Sequence, residues 1–194
     1  MLAVVLFAVA ASTGSAQTAQ ELESFRAEFT VLVIVRPVIP EFNALVLSYF
    51  EMRALLQAGL PVRRVTDNPD ENIRAERALA RRIRKARDDA DRGDIFTRPI
   101  SADFRTILER QIGPAMLATI MDDNPGAFSH RINGSYPKRQ PLSTMPAAVL
   151  AVLPPLPDGL EYRFLGHDLI LHDTRANVIL DRITCALACI EVVD

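Results

Sequence analysis

Three histidines, two cysteines, 24 acidic residues and 22 lysine or arginine residues are the groups with which this 194-residue chain could do chemistry. Asp122 and Asp123 adjoin, His130 follows in a stretch rich in Asn, Pro and Gly, and Tyr136 closes it. General acid–base work needs two such groups held on one reacting centre, so Asp122, Asp123 and His130 are the candidate catalytic residues of a hydrolase-like site within 122–136. Glu161 with Asp181 is a second acid pair that could serve. Against both stands an ordinary fact: acids at helix ends and on strand surfaces are common. Ser129 beside His130 is no sign of a nucleophile and its base, because such partners meet in space, and no Gly-x-Ser-x-Gly turn is present. His167, Asp168, His172 and Asp173 suggest a metal. An odd separation puts two residues on opposite faces of a regular strand, so without a bulge the two histidines diverge and read as exposed polar residues; no metal site is expected. Phosphate loops, zinc-protease helices and calcium loops are absent, and no cofactor is expected.

The densest chemical surface is basic. Arg74, Arg77, Arg81, Arg82, Arg84, Lys85 and Arg87 lie together on one predicted helix, and a face of this kind can hold phosphate groups of lipid or nucleic acid, which makes Arg77, Arg81 and Arg84 the candidate binding residues. Asp88, Asp89 and Asp91 follow at once, and the helix has no aromatic side chain on which a base could stack, so nucleic acid is not the expected partner. The plain alternative is a solvated face with local ion pairs. Cys185 and Cys189 lie four apart; a disulfide would require the tail to leave helical geometry, and the other reading is two small apolar side chains. Two thiols alone do not complete a structural zinc site.

These residues must be positioned by a chain with 49% hydrophobic and 24% charged residues and a formal net charge of −2, values that exclude disordered and collagen-like classes and supply no global field for nucleic acid or anionic membrane. The apolar run Met1 to Ala11, followed by Gly14-Ser15-Ala16, reads as a signal peptide over 1–16 with cleavage after Ala16, although no Lys or Arg precedes it. The expected location is therefore periplasmic or secreted. Residues 17–40 give no clear pattern; 41–183 read as a single domain and 184–194 as a tail. Apolar residues from Phe42 to Leu56 predict a helix over Glu41–Ala58, stopped by Gly59 and Pro61. A second helix opens at Asn68-Pro69 and runs toward Gly93. A third opens at Ser101, is broken at Gly113-Pro114, and resumes through Met121. Pro146–Leu153 predicts a short helix, and Leu153-Pro154-Pro155-Leu156-Pro157 a stiff connector.

The C-terminal part permits a register to be written. A two-residue turn at Gly166-His167 sets Leu165 opposite Asp168, Phe164 opposite Leu169 and Tyr162 opposite Leu171, gathering Tyr162, Phe164, Leu169 and Leu171 on one face to pack on helices. Glu161, Arg163, Ile170 and His172 then form a half-polar outer face. Val178–Ile183 should return as a third strand. The fold class expected is α+β, a helical N-terminal and middle part packed on a C-terminal antiparallel hairpin or three-stranded meander.

Gly93-Asp94-Ile95-Phe96-Thr97, Asp123-Asn124-Pro125-Gly126-Ala127-Phe128, Arg131-Ile132-Asn133-Gly134-Ser135-Tyr136-Pro137 and the block from Leu153 to Leu171 together resemble a family of exported bacterial proteins of unknown function. The resemblance covers roughly Pro61 to Ile183 and implies export; it names no catalytic residue, because that family has no assigned activity. His167 and His172 stand where the family is expected to carry arginine, and the tail after Ile183 departs from it. The expected function is a non-enzymatic envelope or secreted binding module whose partner is an envelope component or a secreted molecule, with the hydrolase-like enzyme as the alternative.

Overall fold

The structure, a computed structural model, describes residues 38–60, 69–124, 131–136 and 145–187. The predicted leader at 1–16, the segment 17–37, His130 and Cys189 lie outside them. In chain order the elements are α1 (Val38–Gln57), α2 (Pro69–Ala86), α3 (Arg98–Gln111), α4 (Pro114–Asp122), α5 (Ala147–Leu150), β1 (Leu160–Leu165), β2 (Asp168–Asp173) and β3 (Val178–Ile183). The strands form one antiparallel sheet in the order β1-β2-β3, so the architecture is α+β with the sheet at the C-terminal end. No helix among the described residues is long and apolar enough to cross a membrane.

α1 packs against α2 and α3 and carries Phe42, Val46 and Tyr49 into the core. Both α3 and α4 take proline in the first turn, where the missing N–H is no loss, so the Gly113-Pro114 break becomes a fresh start. α3 begins at Arg98 rather than Ser101, because Ser101 spends its hydroxyl on the Phe96 carbonyl, one turn inside the helix. α2 ends at Ala86, well before Gly93. There the Asn133 amide donates to the Arg87 carbonyl, satisfying an acceptor the helix would otherwise leave open. α5 is shorter than its pattern suggested, and Val149 alone of its four residues is buried.

Four rings knit these elements together. Phe42 of α1 lies 5.7 Å from Phe96, 5.1 Å from Phe104 of α3 and 6.3 Å from Tyr162 of β1, centroid to centroid. Phe96 and Phe104 meet edge to face at 5.4 Å. Each such pair adds to the apolar area it buries, and together they tie α1, α3 and the loop between α2 and α3 to the sheet.

The hairpin register is the one the pattern predicts, from Leu165 opposite Asp168 through Tyr162 opposite Leu171. Gly166 sits at φ +56°, the left-handed conformation that the first turn position asks of glycine. Tyr162, Phe164, Leu169 and Leu171 all join the main core with the helices. The other face departs from expectation. Ile170, Leu165 and Ile179 form a second apolar cluster under Tyr136, and His172 is only 5% exposed, so this face is covered rather than a polar edge. The cover is the segment 131–136: Asn133 donates to the Ile179 carbonyl at 2.8 Å, and Ile179 donates back to Gly134 at 2.9 Å. A Cβ on Gly134 would stand 2.8 Å from the Arg131 carbonyl oxygen, which is why glycine follows Asn133 in this turn.

β3 contains one irregularity. Asp173 faces Val178 and His172 faces Ile179, but Leu171 faces Asp181, leaving Leu180 as an extra residue. Without this bulge Leu169 would meet Arg182 on the core face. With it, Leu169 meets Ile183, and Arg182 moves to the other face opposite Ile170.

Phe164 is fully buried while Arg163 is half-buried and hydrogen-bonds Glu161 at 2.9 Å. Phe164→Ala should therefore cost about 3–5 kcal/mol in chemical denaturation and Arg163→Ala much less. The reverse order would mean that the register is wrong.

Candidate functional site

Two fully buried carboxylates, Asp173 and Asp181, lie on the helix-facing side of the sheet, where the sequence pattern offered only apolar partners. Asp181 reaches that side because of the bulge. Its Oδ2 accepts N–H bonds from Ile95 at 2.8 Å, Phe96 at 2.7 Å and Gly93 at 3.2 Å, while Oδ1 takes Gly93 at 3.0 Å and the Arg182 amide at 2.7 Å. A carboxylate so surrounded is a fastener for the loop carrying Gly93-Asp94-Ile95-Phe96, not an acid waiting for a substrate. Glu161 lies on the opposite face, opposite His172, so the Glu161–Asp181 acid pair suggested by residue type does not form.

Asp173 is held from both ends. Its Oδ1 accepts the Arg175 and Ala176 amides at 2.8 and 3.0 Å, fixing the turn between β2 and β3. Its Oδ2 accepts the Tyr49 hydroxyl at 2.6 Å and Arg53 Nη1 at 3.3 Å, bringing α1 onto the sheet. Arg53 lies 4.6 Å over the Phe50 ring and also donates to the Asp158 carbonyl at 2.8 Å. Burial, and then the adjacent Asp173 charge, push the Tyr49 hydroxyl well above its ordinary range. It therefore remains a donor at physiological pH.

Asp122 and Asp123 are exposed at the end of α4. The next residue, Asn124, holds the hairpin turn by a reciprocal pair, accepting from Gly166 N at 2.7 Å and donating to its carbonyl at 2.8 Å. Tyr136 is buried in the second apolar cluster, its ring 5.5 Å from that of His172. The aspartates are thus in solvent and the tyrosine is in an apolar setting, rather than converging on one cleft. His172 Nε2 lies 3.0 Å from Asn177 Oδ1, while its buried Nδ1 has no hydrogen-bond partner among the described residues. The neutral tautomer with the proton on Nε2 suits that arrangement. Burial pushes the imidazole below its ordinary value of 6.5, outweighing the opposing effects of Asn177 and the nearby Asp173 and Glu161 charges. No three metal-binding side chains gather among the described residues.

The arginine face of α2 divides. Arg87 is 9% exposed: its Nη2 donates to the Leu180 carbonyl at 3.1 Å, and its guanidinium lies 5.5 Å from the Tyr49 ring centroid. Arg84 donates to the Asn133 carbonyl at 2.8 Å and the Ser135 hydroxyl at 2.7 Å. The expectation of a wholly solvent-facing arginine side is corrected at these two positions: the 131–136 segment lies against the helix and takes the Arg84 donors, while β3 takes the Arg87 donor. Arg77 and Arg81 are exposed. Together with Arg84, Glu76, Ser135 and Ala176 they line one open pocket of about 250 Å³. All three candidate binding arginines thus meet at one place, and neither Arg77 nor Arg81 has an ion-pair partner among the described residues. Ser135 is the polar residue that sequence reasoning missed; it is 51 positions from Arg84, and only the turn at Asn133-Gly134 brings it there.

Cys185 is disulfide-bonded and adopts a non-helical φ of +50°. Beyond Ile183 the packing continues, with Ala186 and Leu187 buried and the Leu187 amide bonded to the His167 carbonyl at 3.0 Å. Comparison with known proteins found no matching family model, curated protein or solved structure.

Two outcomes follow. Asp181→Ala should cost roughly 3–5 kcal/mol in urea unfolding, because it leaves the buried Ile95 and Phe96 amides without acceptors; a loss below about 1 kcal/mol would contradict the fastening role. Because folding lowers the His172 value, the unfolded chain binds more protons below pH 6.5. Its contribution is complete above 6.5 and is lost as pH falls from there through the depressed folded value. His172→Gln should flatten the slope of stability against pH in that window; an unchanged slope would contradict it.

Proposed function

We propose that this protein is a non-enzymatic exported module of the bacterial envelope or medium, related to the family whose sequence blocks it shares, and that it holds an anionic partner with the outer face of α2. The single observation carrying this reading is the pocket where Arg77, Arg81 and Arg84 meet beside Ser135. Arg84 is pre-positioned by two hydrogen bonds, while the exposed Arg77 and Arg81 have no ion-pair partner among the described residues and can turn their donors to a partner. Planar guanidinium groups at this spacing suit carboxylate or phosphate oxygens. Support also comes from the acids: the two buried ones are consumed in fastening loops, which favours a binding role over acid–base catalysis.

The test joins location to binding. Expressed with its native N-terminus, the protein should appear outside the cytoplasm beginning near Gln17, and intact Met1 on a cytoplasmic product would overturn the export half. The purified mature protein, used as bait on periplasm and medium, should retain a partner that the Arg77→Glu/Arg81→Glu variant loses. Both positions are exposed, so that variant should keep its stability within about 1 kcal/mol. Equal retention by the two proteins would overturn the binding half.

A further inference from the structure

A second basic site lies at the other end of β3. Ala176, just before that strand, lines the α2 pocket, whereas Arg182, Ile183 and Thr184 at its far end line an open cleft of about 470 Å³. Arg92, Arg98 and Arg105 complete it, with Thr97 and Ser101. Four guanidinium groups therefore face one cleft, contributed by the loop after α2, both turns of α3 nearest its start, and β3. No acid lines it.

The charges nearby are already engaged. Asp168 lies outside the lining and approaches Arg182 at 3.6 Å. Asp94 accepts the Asp91 amide, and Glu41 accepts the Thr97 hydroxyl at 3.2 Å. Arg105 is aimed by its bond to the Thr184 carbonyl at 2.8 Å. Arg92 and Arg98 are exposed and have no ion-pair partner among the described residues. At the buried Arg53 the fold supplies an internal carboxylate, Asp173. In the cleft Arg182 has Asp168 beside it, while Arg92, Arg98 and Arg105 have no carboxylate partner among the described residues, and the mutual repulsion of these like charges is what an external anion relieves.

The start of α3 adds to the field. The N-cap Thr97, whose hydroxyl makes no capping hydrogen bond, and the first-turn residues Arg98 and Ser101 line the cleft, so the positive end of the helix lies at its wall. Three guanidinium charges without a carboxylate partner among the described residues call for more than one negative charge on the occupant. A phosphomonoester or diphosphate group carries that charge and offers oxygens in several directions to forks arriving from three elements; a single carboxylate does neither.

We propose that this cleft binds a phosphomonoester or diphosphate group, either on a free small molecule or as the headgroup of an anionic lipid. The proposal is independent of the α2 pocket. The two sites are separated by most of β3, and different arginines serve them.

The test uses the mature chain, with inorganic pyrophosphate titrated by calorimetry and sedimentation on phosphatidylcholine vesicles with and without phosphatidic acid. Pyrophosphate should bind, and Arg92→Gln/Arg98→Gln should weaken it at least about tenfold, as expected for losing charge-assisted hydrogen bonds, with the thermal midpoint unchanged. Arg77→Gln/Arg81→Gln should leave that affinity as it was. Sedimentation that requires phosphatidic acid and is lost with Arg92 and Arg98 assigns the phosphate to a lipid; pyrophosphate binding without such sedimentation assigns it to a soluble ligand. Failure to bind either probe, or equal affinity in the Arg92/Arg98 variant and the parent, would overturn the site.

Discussion

A carboxylate in an apolar core is costly unless its lone pairs are filled, and the placement of Asp181 makes that constraint govern the rest of the fold. The bulge at Leu180 turns Asp181 toward the helices, where it is fully buried. The loop from Gly93 to Phe96 must then present its amides in one direction. That requirement places the Phe96 ring against Phe42 and Phe104, and thereby sets where α3 begins. One irregularity in one strand thus propagates through a hydrogen-bonded loop into helix packing. The same bulge sends Arg182 to the opposite face and sinks Ile183 beside Leu169, so the polar and apolar demands of β3 are met together.

Asp173 repeats the device at the other end of the strand pair, with a different cost. It faces Arg53, and a pair of opposite charges buried this deeply returns little net stability over an apolar pair of equal volume. Its effect is on uniqueness. Tyr49 and Arg53 stand one turn apart on α1, and both find their acceptor only if α1 approaches the β2–β3 turn in one register. Removing either partner alone would strand the other, so the arrangement resists piecemeal change.

The hairpin was legible in the sequence because period-two alternation, a turn glycine and the need to bury Tyr162 and Phe164 all specify the same register. Helix positions were legible for the same reason, through apolar spacing and proline. What pattern did not disclose was every long-range polar contact. Asp181 interrupts an apolar strand beside Leu180, which is a signal that something must satisfy it, yet nothing local says that the donors lie 85 to 88 residues earlier. His172 read as exposed because alternation assigns a face but not what covers it, and its cover comes from 131–136. Of the candidate site, the grouping of Arg77, Arg81 and Arg84 followed from helical spacing alone; the distinction between Arg84, which is stitched down, and its two free neighbours did not.

The polar groups divide into those that fasten the fold and those it leaves over. Gly93 to Phe96 supplies donors to Asp181, Asn124 grips the turn at Gly166, and Asn133-Gly134 closes the edge of β3 while its carbonyl receives Arg84. Each block is fastened to the sheet by a polar contact that substitution would leave unsatisfied in a buried or half-buried place. Such residues would be constrained in any chain with this architecture, whatever it binds. They serve the fold and say nothing of a ligand. Chemistry toward a partner has to come from groups the fold leaves unspent, and here those are guanidinium groups: Arg77 and Arg81 at one end of β3, Arg92 and Arg98 at the other. An arginine that fastens nothing keeps its long side chain ordered at an entropic cost only when something outside the chain completes its hydrogen bonds, so these four positions are where specificity between related chains should be written.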